Sequence, residues 1–273
     1  MKRFLIVATF CGTAACAVLS NPLAAQAMHA GRPPSRHLSR TAGNGQPARV
    51  SAAEYTRRGT LKLQQGDYRG AIVDLTQAIR LNPNDAVAYY NRARARYHLG
   101  DYQGAIADYN QDLRLNPNDS GAYNNRGLCY YHLYNDKSAM ADFNKALQIN
   151  PGDSAAYNNR GLVQDDQGNH QAAIADYTRS LQLDPSSAVA YFNRGYDYFS
   201  LGNDRAAIAD FTRAVHFDPT DADSYYNRAL AHHALNENAA ALADLRQAAK
   251  LYHQQGNSAG YQRAVNALKT LGH

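Results

Sequence analysis

The chain has 273 residues, 45% of them hydrophobic, which is enough for a substantial core, and it carries 28 Lys and Arg against 23 Asp and Glu. The net charge of +5 invites a polyanionic partner, but six of the basic residues (Lys2, Arg3, Arg32, Arg36, Arg40 and Arg49) fall in the first fifty positions, where no acid occurs. The remainder is close to neutral, so nucleic acid is not an expected partner.

Residues 1–27 read as a secretory signal. Lys2-Arg3 forms a positive start, Phe4 to Leu19 an apolar run, and Ala25-Gln26-Ala27 a small-residue cleavage site. The run is shorter than the ~20 residues that cross a bilayer, so no transmembrane span is expected in the mature chain. The expected location is exported, periplasmic or secreted. A lipoprotein anchored at Cys16 is the second choice, since Ala14-Ala15 precedes it but Thr13 stands where such signals usually carry a leucine-like residue. With Cys11 and Cys16 inside the signal, Cys129 is left alone, which excludes an internal disulfide. Cys129 shares a small-residue column with Ala95 and Ala231 and is read as a buried, inert thiol. Residues 28–50 are rich in Gly, Pro, Ser, Arg and Ala without a hydrophobic period, the signature of a disordered linker.

From residue 51 the chain repeats every 34 residues. Tyr55, Tyr89, Tyr123, Tyr157, Tyr191 and Tyr225 align without gaps, and three residues later come Arg58, Arg92, Arg126, Arg160, Arg194 and Arg228. Next stand Gly59, Ala93, Gly127, Gly161, Gly195 and Ala229; then Ala71 to Ala241 at the same spacing; then an apolar column from Leu75 to Leu245. Pro83, Pro117, Pro151, Pro185 and Pro219 close five of the six units. Each unit reads as a helical hairpin. Asp67, Asp101, Asn135, Asn169 and Asn203 follow the turn and are expected to cap the second helix. The proline ends that helix, and Asp85, Asp119, Asp153, Ser187 and Asp221 can cap the next first helix.

These columns resemble the tetratricopeptide repeat family over roughly residues 52–253, with Gly127, Ala139, Phe143, Ala146 and Pro151 matching its pattern in the third unit. Tyrosine replaces the family's frequent tryptophan in the opening column, and Asp112 and Ser180 stand where alanine is usual. The resemblance implies an all-α fold, an α-solenoid of six helix-turn-helix repeats at 51–253 with a C-terminal capping helix at 254–273. In that last stretch Tyr261, Val265, Leu268 and Leu271 would form the apolar face that shields the terminal repeat.

The family usually has an apolar residue where the arginines stand. Sixteen residues after each lies an aspartate, Asp74, Asp108, Asp142, Asp176, Asp210 and Asp244, and positions equidistant from an antiparallel turn face each other. The six pairs are therefore expected as structural ion pairs between the helices of a hairpin, in preference to a rail gripping anions.

For ligand binding the resemblance implies a concave groove lined by first helices. The residue before each arginine forms a ladder of Asn91, Asn125, Asn159, Asn193 and Asn227, broken by Arg57. Carboxamides can pair with the backbone of an extended peptide, or they can tie neighbouring hairpins together. Tyr90, Asn124, Asn158, Phe192 and Tyr226 form a flanking column, and Tyr97, Tyr131, Phe199 and His233 another. His98, His132 and Asp166 share one column, but repeats ~9 Å apart cannot bring three ligands onto one metal, so these are expected to be solvent-facing polar groups. No catalytic motif is found, and no enzyme, cofactor or metal is expected. The expected function is a scaffold or adaptor of the bacterial periplasm or envelope that binds a protein or peptide segment, self-association being possible. The alternative is a regulatory subunit of an envelope enzyme, such as a wall hydrolase or a polysaccharide synthase.

Overall fold

The computed structural model describes residues 50–271; the expected signal, the linker short of Val50 and Cys16 lie outside them. Among the described residues there are thirteen helices and no strand. The first three hairpins pair α1 (Ala52–Gln64) with α2 (Tyr68–Leu81), α3 (Ala86–His98) with α4 (Tyr102–Leu115), and α5 (Ser120–His132) with α6 (Asp136–Ile149). The next three pair α7 (Ser154–Asp166) with α8 (His170–Leu183), α9 (Ala188–Ser200) with α10 (Asp204–Phe217), and α11 (Ala222–Ala234) with α12 (Asn238–Gln254), and α13 (Ser258–Leu271) follows. The fold class is an all-α repeat solenoid. The chain divides between Ile149 and Asn150 into two compact units, each taken by itself below.

Local chemistry sets the helix ends. Asp85, Asp119, Asp153, Ser187 and Asp221 each accept a hydrogen bond from a first-turn backbone N–H. Asp67, Asp101, Asn135 and Asn203 do the same for second helices, whereas Asn169 makes no such cap and turns its amide toward Gln167 at 3.5 Å. The residue before each proline leaves the helical region, as at Asn82 (φ −136°), because the ring crowds an α conformation there. The sixth unit has His253 at the proline position, and α12 runs to 17 residues where the other second helices have 14.

The turn after each first helix needs a left-handed residue. Gly66, Gly100, Gly168 and Gly202 supply it at φ 74–79°, but the third unit uses Tyr134 (φ 59°) and the sixth Asn236 (φ 60°). A bulky side chain there costs ~1–2 kcal/mol, while asparagine tolerates it. Tyr134→Gly is therefore expected to stabilise the protein by about 0.5–1 kcal/mol in urea titration, and Asn236→Gly by less.

The core forms where small columns admit aromatic rings. A Cβ on Gly127 would lie 2.7 Å from the Phe143 ring, and one on Gly161 equally close to Tyr177. Tyr109, Phe143 and Phe211 are fully buried as a result. At the C-terminus Gly260 lets α13 approach Tyr252, and Leu268 and Leu271 pack on Ala229, Ala241 and Leu245. Tyr261 is not on that apolar face: it stays 39% exposed, its ring 5.7 Å from His253, because Gly260 and Ala264 occupy the contact.

Candidate functional site

The arginine column lies between the helices of each hairpin. Arg92, Arg126, Arg160, Arg194 and Arg228 each donate through Nε and Nη2 to both oxygens of the aspartate sixteen residues on, at 2.6–2.8 Å. Such forked pairing suits a guanidinium better than an ammonium. Arg58 makes one bond to Asp74, at 3.0 Å, and shares it with Lys62 at 2.8 Å. Each arginine also lies over the tyrosine three residues earlier, within 5.3–5.8 Å of the ring centre. Burial pushes the Asp142 carboxyl up, and the Arg126 guanidinium pulls it back only in part.

The asparagine ladder is largely internal. In the second and third repeats Asn91 donates to Thr60 Oγ1 (2.9 Å) and Asn125 to the Tyr90 hydroxyl (3.0 Å), both across to the preceding hairpin. In the fifth and sixth repeats Asn193 donates to Asn158 Oδ1 (3.1 Å), and Asn227 turns back to the Asp223 carbonyl of its own helix (2.8 Å). Asn91, Asn125, Asn159 and Asn193 are buried, and so are Tyr90, Asn124, Asn158 and Phe192 of the flanking column. Eight of the twelve residues expected to meet a peptide therefore sit inside the stack, where a carboxamide must bond to protein or lose more than it gains. Burial pushes the Tyr90 phenol up to about 12. Arg57 breaks the ladder where no described hairpin precedes α1, and it pairs instead with Glu54 of its own helix at 2.6 Å.

Tyr97, Tyr131, Tyr226 and Asn227 remain half-buried. Tyr97 and Tyr131 belong to a ribbon of rings along the ends of the first three hairpins. Tyr68 stacks on His98 (4.5 Å between ring centres) and Tyr102 on His132 (4.7 Å); Tyr97 packs edge-on to His98 and Tyr102 and meets His132 at 5.5 Å; Tyr131 adjoins His132 at 5.9 Å. The Tyr97 hydroxyl lies 2.9 Å from His132 Nε2. His98 and His132 thus pack between tyrosines, not toward solvent as expected, and burial pushes both imidazoles down. Their neutral form prevails at pH 7, so the ribbon is apolar-faced and uncharged. Cys129 is free and buried, its thiol pushed up to about 12 by burial, which leaves it without thiolate reactivity.

Models described as "Tetratricopeptide repeat" match residues 56–120, 120–153, 154–187 and 222–257, and one described as "TPR repeat" matches 195–236. The chain belongs to the tetratricopeptide repeat family. Among solved tetratricopeptide-like structures, a chain of the Cut9–Hcn1 APC/C hetero-tetramer superposes with a TM-score of 0.71 at 19% identity, covering 82% of this chain, which spans only 43% of that one. PilW, a widely conserved type IV pilus biogenesis factor, gives 0.69 at 23% identity, over 78% of this chain and 98% of its own. YrrB, described as a TPR protein with an unusual peptide-binding site, gives 0.55 at 24%, over 70% and 97%. At these identities the likeness establishes the fold. No curated protein sequence matches the chain closely enough to mark a relative.

Within the tetratricopeptide array a further polar column, Thr76, Asn110, Thr178 and Thr212, takes part in the stapling. Each accepts a bond from Nη1 of the arginine sixteen residues later, at 2.6–3.2 Å, so one guanidinium joins its own hairpin to the preceding one. The 34-residue recurrence of a small oxygen-bearing side chain was the signal that marks them.

Proposed function

We propose that this tetratricopeptide protein is a non-enzymatic scaffold of the bacterial periplasm or envelope that holds a segment or helix of a partner protein against the exposed edges of its hairpins. The observation that carries the reading is the half-buried ring ribbon of Tyr68, Tyr97, His98, Tyr102, Tyr131 and His132. Tyrosine offers a large amphipathic contact at low entropic cost and is enriched where proteins recognise one another. The buried asparagines and ion pairs hold neighbouring repeats in register, which gives the ribbon a rigid support. The signal-like residues 1–27 support export, and the unusual peptide-binding site of YrrB supports peptide capture by this fold.

The test compares the full chain with a Tyr97→Ala/Tyr131→Ala variant in pull-downs from envelope extract, with helicity checked by circular dichroism. The folded variant is expected to lose the proteins that the parent retains. Identical capture by both would remove the ribbon from the binding surface.

A further inference from the structure

Three columns of the repeat change character together in the fourth and fifth repeats. Position 197 is an aspartate where Ala95, Cys129, Val163 and Ala231 are apolar; position 165 is an aspartate where Tyr97, Tyr131 and Phe199 are aromatic; position 170 is a histidine where Tyr68 and Tyr102 stand. Nothing in the sequence pattern of one repeat connects these residues, yet the fold brings them to one point. His170 opens α8, Asp165 lies in the last turn of α7, and Asp197 begins the last turn of α9. His170 Nδ1 is 3.0 Å from Asp165 Oδ1 and 2.7 Å from Asp197 Oδ1. One ligand atom from each residue lies within 4.8 Å of the other two.

The surroundings are those of an interior. The Asp197 side chain is fully buried, and those of Asp165 and His170 are 11% and 16% exposed. Two carboxylates in such a place carry a large desolvation cost unless a cation answers them. A single ring nitrogen faces both, and one N–H hydrogen cannot point in line at two oxygens.

We propose that Asp165, His170 and Asp197 form a binding site for one divalent transition-metal ion, zinc being the ion their chemistry fits best. An imidazole nitrogen with two carboxylate oxygens is a borderline donor set that suits Zn²⁺ over Ca²⁺ or Mg²⁺, which prefer oxygen alone. Donor atoms around a tetrahedral zinc would stand ~3.4 Å apart, given bonds of ~2.0–2.2 Å, so the nitrogen–oxygen separations of 3.0 and 2.7 Å would open by ~0.4 and ~0.7 Å. The ion would join one hairpin to the next and bring a +2 charge that balances both carboxylates. It would do so through residues of one compact unit only.

Zinc titration of the chelator-stripped full chain, read by calorimetry and by the Co²⁺ absorption spectrum, tests the site. One equivalent is expected to bind with micromolar or tighter affinity and to raise the melting temperature. Asp197→Ala and His170→Tyr restore residues that other repeats carry at those positions, so both are expected to fold. Each should weaken zinc binding by more than ~10-fold, since even outer-shell partners of a metal ligand are worth that much. A His98→Ala/His132→Ala variant is expected to bind as the parent does. The site is refuted if the parent shows no saturable one-equivalent binding, a result that would make the cluster a metal-free ion triad, or if folded Asp197→Ala and His170→Tyr bind zinc undiminished.

Discussion

Arg126→Ala is expected to lower stability by about 3 kcal/mol, the low end of the cost of leaving one member of a buried ion pair behind. The Arg126 side chain is 18% exposed and that of Asp142 only 8%, and no second cation contacts Asp142 among the described residues. Removing the guanidinium also removes the bond to Asn110 and the ring contact with Tyr123. The loss has a definite pH dependence. Burial already holds the Asp142 carboxyl above its ordinary value, and without Arg126 it rises further. The variant's deficit is therefore full above that raised value and fades as the pH falls through it toward the parent's own carboxyl value, below which the group is protonated in both folded proteins.

Neighbouring pairs supply controls. Arg92→Ala should cost less, because Arg96 stays 2.8 Å from Asp108. Joint replacement of Arg126 by Leu and Asp142 by Ala should recover most of the loss, since a buried pair exchanged for apolar groups is close to neutral. Urea titrations at pH 8 and pH 4 read all three effects. Equal stability of Arg126→Ala and the parent at pH 8 would show that the arginine column is not structural.

The helices and the ion pairs were legible because both are periodic. A 34-residue recurrence fixes hairpins, and equidistance from a turn places Arg92 opposite Asp108 without knowledge of a single coordinate. What the period does not encode is which side of a first helix the neighbouring hairpin covers. Asn91 and Asn125 are as polar as any ligand-binding residue, and only the stacking shows Thr60 and Tyr90 already bonded to them. The same limit explains His98 and His132, whose sequence suggests solvent and whose neighbours are tyrosine rings. Departures from the period mark sites that the period itself hides. The column of Cys129, Ala95 and Ala231 also holds Asp197, a carboxylate where the other repeats are apolar. Asp165 interrupts an aromatic column in the same way.

Asp112 is the other such departure, and its replacement by alanine is expected to stabilise the protein at pH 8. Its column is otherwise Ala78, Ala146, Ser180, Ala214 and Ala248, all buried. Asp112 is 2% exposed and its Oδ2 has no hydrogen-bond partner among the described residues, and burial, with Asp119 adding repulsion, pushes its carboxyl up to about 7. The sign follows from linkage. Below pH ~3.8 the group is protonated in both states and costs nothing; between ~3.8 and ~7 the unfolded chain releases the proton that the folded chain keeps, so stability falls as pH rises; above ~7 the cost is complete. Three pKa units set a ceiling of ~4 kcal/mol, and relaxation around a single carboxylate reduces the expected gain for Asp112→Ala to about 2 kcal/mol at pH 8. At pH 4 the gain should vanish or reverse, because alanine then replaces a neutral acid that fills the space better. Ser180→Ala should show no such pH dependence, since a hydroxyl does not titrate in this range. A difference between Asp112→Ala and the parent that stays constant from pH 4 to pH 8 would mean that the carboxylate has found a partner, and that its ionisation is not what strains the second and third repeats.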